Sequence, residues 1–76
     1  MKLPTDLTKK QQKVLKIIIG YIESEGVSPE LKEIAKDYGT HALNTIINHL
    51  HALERKGYIT RRYRTHRGIK LTLPED

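Results

Sequence analysis

The stretch GTHALNTIINHLHALERKGYI, residues 39–59, decides the fold of this chain. At about 100° per residue it forms a helix with two distinct faces. The aliphatic face consists of Ala42, Ile46, Leu50 and Leu53, with Leu43 and Ile47 along one flank. The opposite face has no carboxylate, and its members are His41, Asn44, Thr45, Asn48, His51 and Arg55.

This polar face is unusual for a solvated helix surface, which normally mixes Lys with Glu. Asn and Thr are poor helix formers because their side chains compete for backbone hydrogen bonds. In the major groove of DNA the same groups have partners, since Asn pairs with adenine, Arg with guanine, and a Thr methyl touches thymine. Taken alone, the stretch fits either a DNA-reading helix or an ordinary surface helix. The rest of the chain favours the first interpretation.

The charge of the chain indicates an acidic partner. The 76 residues, enough for one small domain, carry a formal net charge of +5. Between Arg55 and Lys70 there are seven basic residues, five of them Arg, and no acidic residue. Arg makes forked contacts with phosphate, so this run is typical of a nucleic-acid-binding protein. The alternative is a basic surface without a ligand. A membrane surface is disfavoured because the run lacks an amphipathic helical pattern.

Several other functions are disfavoured by what the sequence lacks. It has no Cys, no signal-peptide core, and no apolar run longer than Ile17–Ile19, so we expect a soluble cytoplasmic protein. His49 and His51 lie on different faces of the helix, and no two His are four residues apart, which argues against a metal site. No catalytic constellation or phosphate loop is present, so the sequence predicts neither an enzyme nor a cofactor.

Start and stop signals divide the first half of the chain. Thr8 and Gln11 predict a capping box that opens helix 1, at about residues 9–24, and Gly26 predicts its end. Gly20, inside this helix, predicts a close approach by another helix. Helix 2 is expected at about residues 30–38, after a Ser-Pro start signal.

The second half of the chain completes a known arrangement. Gly39 ends helix 2, and helix 3 follows after a tight turn at about residues 41–56, capped by Thr40. Residues 58–73 then form two β-strands around a four-residue loop, packed against helix 1. Three helices and a two-stranded basic wing, over residues 1–76, predict a mainly α winged helix-turn-helix domain.

The residues resemble those of the LexA-type repressors of the bacterial SOS response. The resemblance runs from about Leu7 to Leu73 and is most specific between His49 and Ile59. The shared residues are Leu7-Thr8, Gln11-Gln12, Ile34-Ala35, Gly39, Asn44, His49-Leu50, Ala52-Leu53, Arg55-Lys56-Gly57, Ile59 and Arg67-Gly68-Ile69-Lys70-Leu71. This resemblance implies a winged helix-turn-helix that reads operator DNA as part of a dimer.

The resemblance also implies which residues touch the bases. The corresponding positions are Ala42, Asn44, Thr45, Ile47 and Asn48, and among them only Asn44 keeps the residue type of the family. A different operator sequence is therefore expected. LexA-type repressors continue into a dimerisation and self-cleavage domain, whereas this sequence ends at Asp76. We accordingly expect a stand-alone reader without self-cleavage.

The two approaches together give one set of site residues. The predicted base readers are Asn44, Thr45, Asn48, His41 and Ile47, and the predicted backbone or wing contacts are Arg55, Arg62, Arg64, Arg67 and Lys70. The predicted partner is double-stranded DNA, bound by a weak homodimer.

Two alternatives remain at this point. The first is a protein- or RNA-interaction module that uses an exposed Tyr21, Tyr63 or Ile47. The second is a replication or partition factor that binds DNA without repressing transcription.

Overall fold

Three helices and one antiparallel hairpin make up the part of the chain that the structure describes. The structure, a computed structural model, describes residues 6–62 and 67–72. Helices α1 (Lys9–Glu25), α2 (Leu31–Tyr38) and α3 (Leu43–Arg55) precede strands β1 (Ile59–Arg61) and β2 (Ile69–Leu71). In the hairpin Ile59 pairs with Leu71, and Thr60 pairs with Lys70. The predicted fold class, a mainly α winged helix-turn-helix, is confirmed.

The predicted capping box opens α1. The Thr8 hydroxyl accepts a hydrogen bond from the Gln11 N–H at 3.1 Å, and the Gln11 side chain accepts one from the Thr8 N–H at 3.1 Å. At the other end Gly26 adopts the left-handed conformation, with φ 74°, and donates to the Ile22 carbonyl. Local signals in the sequence therefore suffice to start and stop this helix.

A second capping box opens α2 at Glu30. The Glu33 carboxylate accepts the Glu30 N–H at 2.7 Å, and the Glu30 side chain in turn accepts the backbone N–H of Glu33. Pro29 is fully buried and lies before the helix. Glu33 thus has a structural task at the start of α2.

The turn between α2 and α3 is closed by backbone hydrogen bonds. Gly39, at φ 93°, donates to the Ala35 carbonyl at 2.9 Å, and Thr40 donates to the same carbonyl at 3.0 Å. The Thr40 hydroxyl accepts the N–H of Ala42. Because Ala42 is itself the N-cap position of α3 and no side chain caps this helix, the predicted cap by Thr40 is wrong. His41 consequently lies before the helix.

All three helices and β1 contribute to one hydrophobic core. Its buried members are Leu7, Val14, Leu15, Ile18, Ile34, Ala35, Ile46, Leu50, Leu53, Tyr58 and Ile59. The hairpin packs mainly through β1 against α3, rather than against α1 as the sequence analysis predicted. The reason is that the short turn at Gly57 returns β1 directly onto the helix that precedes it.

Gly20 does not mark a close helix approach, so this prediction is also wrong. It is exposed, and a Cβ built on it would meet no heavy atom within 4 Å. It lies two residues beyond buried Ile18 and therefore on the outer side of α1.

Replacement of glycine by alanine should have opposite effects on stability at Gly20 and at Gly39. Gly20→Ala should stabilise the domain by about 0.5–1 kcal/mol, because Ala is the better residue in a helix interior. Gly39→Ala should destabilise it by about 1–2 kcal/mol, because its φ of 93° is strained for Ala although the space around it is open. Urea unfolding of both variants measures the two effects. Changes of the same sign would contradict this account of the turn.

Candidate nucleic-acid interface

One exposed row of side chains runs along α3. It is formed by Asn44, Asn48, His51 and Arg55, all exposed and spaced by four, three and four residues, so they share one side of the helix. We call this row the polar stripe. None of these side chains makes a hydrogen bond or an ion pair with another residue of the described part of the chain. Their donors and acceptors are therefore available to a ligand.

The other predicted base readers lie beside the polar stripe. Thr45 and Ile47 are half-buried and flank it on opposite sides. His41 is exposed but precedes the helix, where it lines a depression beside the turn. The structure thus brings Asn44 and Asn48 together with Arg55, and adds His51, which the sequence analysis placed on the polar face but left out of the predicted site.

Two lysines of α2 border the same region. Lys32 and Lys36 are exposed, four residues apart, and line the depression with Thr40 and His41. They are not among the predicted site residues, all of which come from helix 3 and the wing. Their spacing on the side of helix 2 away from buried Ile34 was the signal that could have found them.

The basic run between Arg55 and Lys70 divides into two groups in the structure. Arg55, Arg62 and Lys70 are exposed and form no ion pair with any of residues 6–62 or 67–72. Predicted wing contact Arg64 lies outside the described residues, as do Tyr63 and Leu73. Lys56 and Arg67 form the second group, because each binds acceptors within the domain.

Lys56 is one of the internally bound cations. Its ammonium donates to the Asp6 carbonyl at 2.8 Å and to the Gln11 side chain at 3.1 Å. The Tyr58 hydroxyl donates to the Asp6 carboxylate at 2.6 Å, and this hydrogen bond raises the pKa of Tyr58. Lys56 and Tyr58 therefore join the end of α3 to the residues that precede α1.

Arg67 is the second internally bound cation. Its guanidinium donates to the Ser28 carbonyl at 2.8 Å, to the Glu33 carboxylate at 3.1 Å and to the Tyr21 hydroxyl at 3.4 Å. The Glu30 carboxylate lies 4.0 Å away. We call Arg67, Glu33, Tyr21, Ser28 and Glu30 the Arg67 cluster. It connects the wing to α1, to the α1–α2 loop and to the start of α2.

Hydrogen bonds shift the ionisation of this cluster. The Glu30 N–H, followed by the Tyr21 hydroxyl and Arg67, lowers the pKa of Glu33. The hydrogen bond that Tyr21 donates to Glu33, at 2.7 Å, raises the pKa of Tyr21. Glu33 is consequently ionised at neutral pH. Tyr21 is half-buried and hydrogen-bonded within the domain, so the prediction that it is exposed is wrong.

Lys13 of α1 and His49 of α3 both contact Tyr38 of α2. The Lys13 ammonium donates to the Tyr38 carbonyl at 3.0 Å and lies 4.4 Å from the centre of the Tyr38 ring. The His49 ring centre is 5.9 Å from that of Tyr38. Burial, followed by the charge of Lys10, lowers the pKa of His49. These groups hold α1, α2 and α3 together beneath the polar stripe.

An open depression separates α3 from the wing. Leu43 and Leu50 of α3 line it together with Arg62 and Ile69 from the hairpin region. Leu43 is 41% exposed, so it contributes an apolar edge to this surface. Arg62 therefore lies across the depression from Leu43 and Leu50 of α3. Lys32 of α2 and Leu43 line both this depression and the one beside the α2–α3 turn, so Arg62 and the α2 lysines border the same side of α3.

The described residues lack two features that mark other classes of protein. Among residues 6–62 and 67–72, no group of three His, Cys, Asp or Glu side chains is placed to hold a metal ion. No helix in that part of the chain is both long enough and apolar enough to cross a membrane.

Comparison with known proteins gives a consistent result. The sequence profile of the family described as LexA DNA binding domain matches residues 4–68. The LexA repressor of Geotalea uraniireducens is 46% identical over 65 residues, which is 86% of this chain and 32% of that protein. The LexA repressor of Thermosipho melanesiensis is 48% identical over 65 residues, with the same coverage of 86% and 32%.

The match is thus to one part of these relatives. The chain spans about a third of the length of the repressors that it resembles. Because the family profile covers most of the chain, the chain belongs to the LexA DNA binding domain family.

Proposed function

We propose that this chain binds a specific sequence of double-stranded DNA in the cytoplasm and thereby represses transcription. The observation that carries the proposal is the polar stripe of α3, whose side chains are exposed, unpaired within the described residues and free of carboxylates. A helix of this kind, as the second member of a helix-turn-helix, lies in the major groove.

The polar stripe suits the edges of base pairs. Asn44 and Asn48 are at the N-terminal half of α3, which in a helix-turn-helix enters the groove most deeply. Each amide can donate to and accept from adenine at the same time. Thr45 and Ile47, on the flanks, are proposed to contact thymine methyl groups, and His41 to contact a base or phosphate at the start of the helix.

Exposed cations of the wing, α2 and α3 are proposed to bind the phosphate backbone. Arg62 and Lys70 of the wing, and Lys32 and Lys36 of α2, would each bind a phosphate. Arg55, at the end of α3, would reach a further phosphate. Arg64, outside the described residues, remains a predicted wing contact. About six neutralised phosphates would make log K fall against log salt with a slope of roughly −5.

Alanine at a base reader should reduce discrimination. Asn44→Ala or Asn48→Ala is expected to lower the preference for the specific duplex by about 1–3 kcal/mol, because one bidentate pair to a base is lost. Binding to random duplex DNA should change little. Competition binding with specific and random duplexes measures both quantities. Equal losses on the two duplexes would remove that residue from the base readers.

Alanine at a wing cation should instead change the salt dependence. Arg62→Ala or Lys70→Ala should make the slope of log K against log salt shallower by about 1, since one phosphate contact is lost on every sequence. Lys16→Ala, an exposed lysine of α1 outside the stripe and the wing, serves as the matched control. An unchanged slope in the wing variants, or an equal change in the control, would contradict the assignment.

We also propose that two copies bind together. Small winged helices contact only a few base pairs each, so a second copy on an adjacent half-site would supply the missing affinity. Selection from random duplex DNA at about 0.15 M salt should therefore return a palindrome. Native mass spectrometry should show two chains on that duplex. A single chain on a single half-site would overturn the dimer, and no enrichment at all would favour an RNA or protein partner.

A further inference from the structure

We infer that Arg67 is a positioning residue of the wing, held by Glu33, and not itself a phosphate contact. This inference rests on the proposed function, because it concerns how the wing reaches DNA. The sequence analysis placed Arg67 among the backbone contacts. The structure gives its guanidinium four acceptors within the domain instead: the Ser28 carbonyl, the Tyr21 hydroxyl and both oxygens of Glu33.

Two groups other than Arg67 also bind the Glu33 carboxylate. One of its oxygens accepts the Glu30 N–H at 2.7 Å and the other accepts the Tyr21 hydroxyl at 2.7 Å. Both bonds favour the ionised form and hold its plane in one orientation. Arg67 binds a rigid, charged fork, to which it is geometrically suited. The Arg67 side chain remains 40% exposed, so solvent weakens the attraction between the charges and the directed hydrogen bonds matter more.

A short backbone path links this cluster to the proposed phosphate contacts. Gly68 follows Arg67, and its carbonyl accepts the Arg62 N–H at 2.9 Å. Lys70 lies two residues further, opposite Thr60 in the ladder. The position of Arg67 therefore determines the position of the Arg62 backbone and of the start of β2.

The wing needs such a tie because its own ladder is short. Each strand has three residues, and the hairpin packs mainly through β1 on α3. An isolated two-stranded hairpin is marginal in water. The Arg67 cluster adds contacts to α1, through Tyr21, and to α2, through Glu33. With these contacts Arg62 and Lys70 are held in place before DNA arrives.

The decisive substitution is Glu33→Gln. Gln can still accept the Glu30 N–H, so the capping box of α2 is kept while the charge under Arg67 is removed. The formal net charge also rises by one, which by itself favours DNA binding. Glu23→Gln is the matched control, because Glu23 is an exposed residue of α1 and the change adds the same charge. All variants are compared as the full chain, at a temperature at which circular dichroism shows them folded.

If Arg67 positions the wing, Glu33→Gln should weaken binding to the selected duplex about fivefold relative to Glu23→Gln, despite the equal gain in charge. Arg62→Ala should lose about fivefold in the Glu23→Gln background but less than twofold in the Glu33→Gln background. If Arg67 binds phosphate directly, Glu33→Gln releases it and binding becomes equal or tighter. That result, or an Arg62→Ala loss of the same size in both backgrounds, would overturn the inference.

Amide hydrogen exchange provides a readout that needs no DNA. The Arg62 N–H should exchange about tenfold faster in Glu33→Gln than in Glu23→Gln, relative to the N–H of buried Leu50 in the same protein. A cluster that served only overall stability would accelerate both amides together, and an unchanged Arg62 to Leu50 ratio would refute the inference. Failure of the wild-type chain to enrich any duplex would overturn the proposed function alone, because the exchange ratio still decides whether Arg67 orders the wing.

Discussion

The packing of Ile46, Leu50 and Leu53 of α3 against α1 is the interaction on which the other features depend. All three side chains are fully buried. Burial of each stabilises the fold by about 1.5–3 kcal/mol, with the compactness of the unfolded chain reducing that value. The helix has 3.6 residues per turn, so when these side chains face the core the opposite side of the helix faces solvent. That side carries Asn44, Asn48, His51 and Arg55. The functional surface is therefore a consequence of the core.

The turn before α3 determines how that surface is presented. Gly39 takes a backbone conformation that other residues adopt only with strain, and the next helix begins four residues after it, at Leu43. Since α2 and α3 are so closely joined, Lys32 and Lys36 come to lie beside the start of α3. A local backbone requirement thus places cations from one helix next to the polar stripe of another.

The cations of this domain serve two purposes. Lys13, Lys56 and Arg67 bind carbonyls or a carboxylate within the domain, and each joins elements that are far apart in the sequence. Arg55, Arg62 and Lys70 remain exposed. The count of 14 Lys and Arg residues therefore overstates the number of cations available to an acidic partner. The internally bound cations hold the helices and the hairpin together, and the exposed cations lie on the surface of the resulting domain.

The sequence by itself determined the features that depend on neighbours within a few residues. The two faces of α3, the capping box of Thr8 and Gln11, and the stop at Gly26 all follow from helical periodicity and from local hydrogen bonds. The sequence also placed Asn44 and Asn48 on one exposed face, because their spacing of four residues requires it.

Only the tertiary structure decided which charges meet. Arg67 finds Glu33 across 34 residues of chain, and Lys56 finds Asp6 across 50. Neither pair leaves a periodic signal, and a long cationic side chain looks the same in sequence whether it faces solvent or a carboxylate. The packing of the hairpin on α3, the open side of Gly20 and the position of His41 before the helix were likewise set by how the elements dock. Docking depends on the summed fit of distant surfaces, which local spacing does not encode.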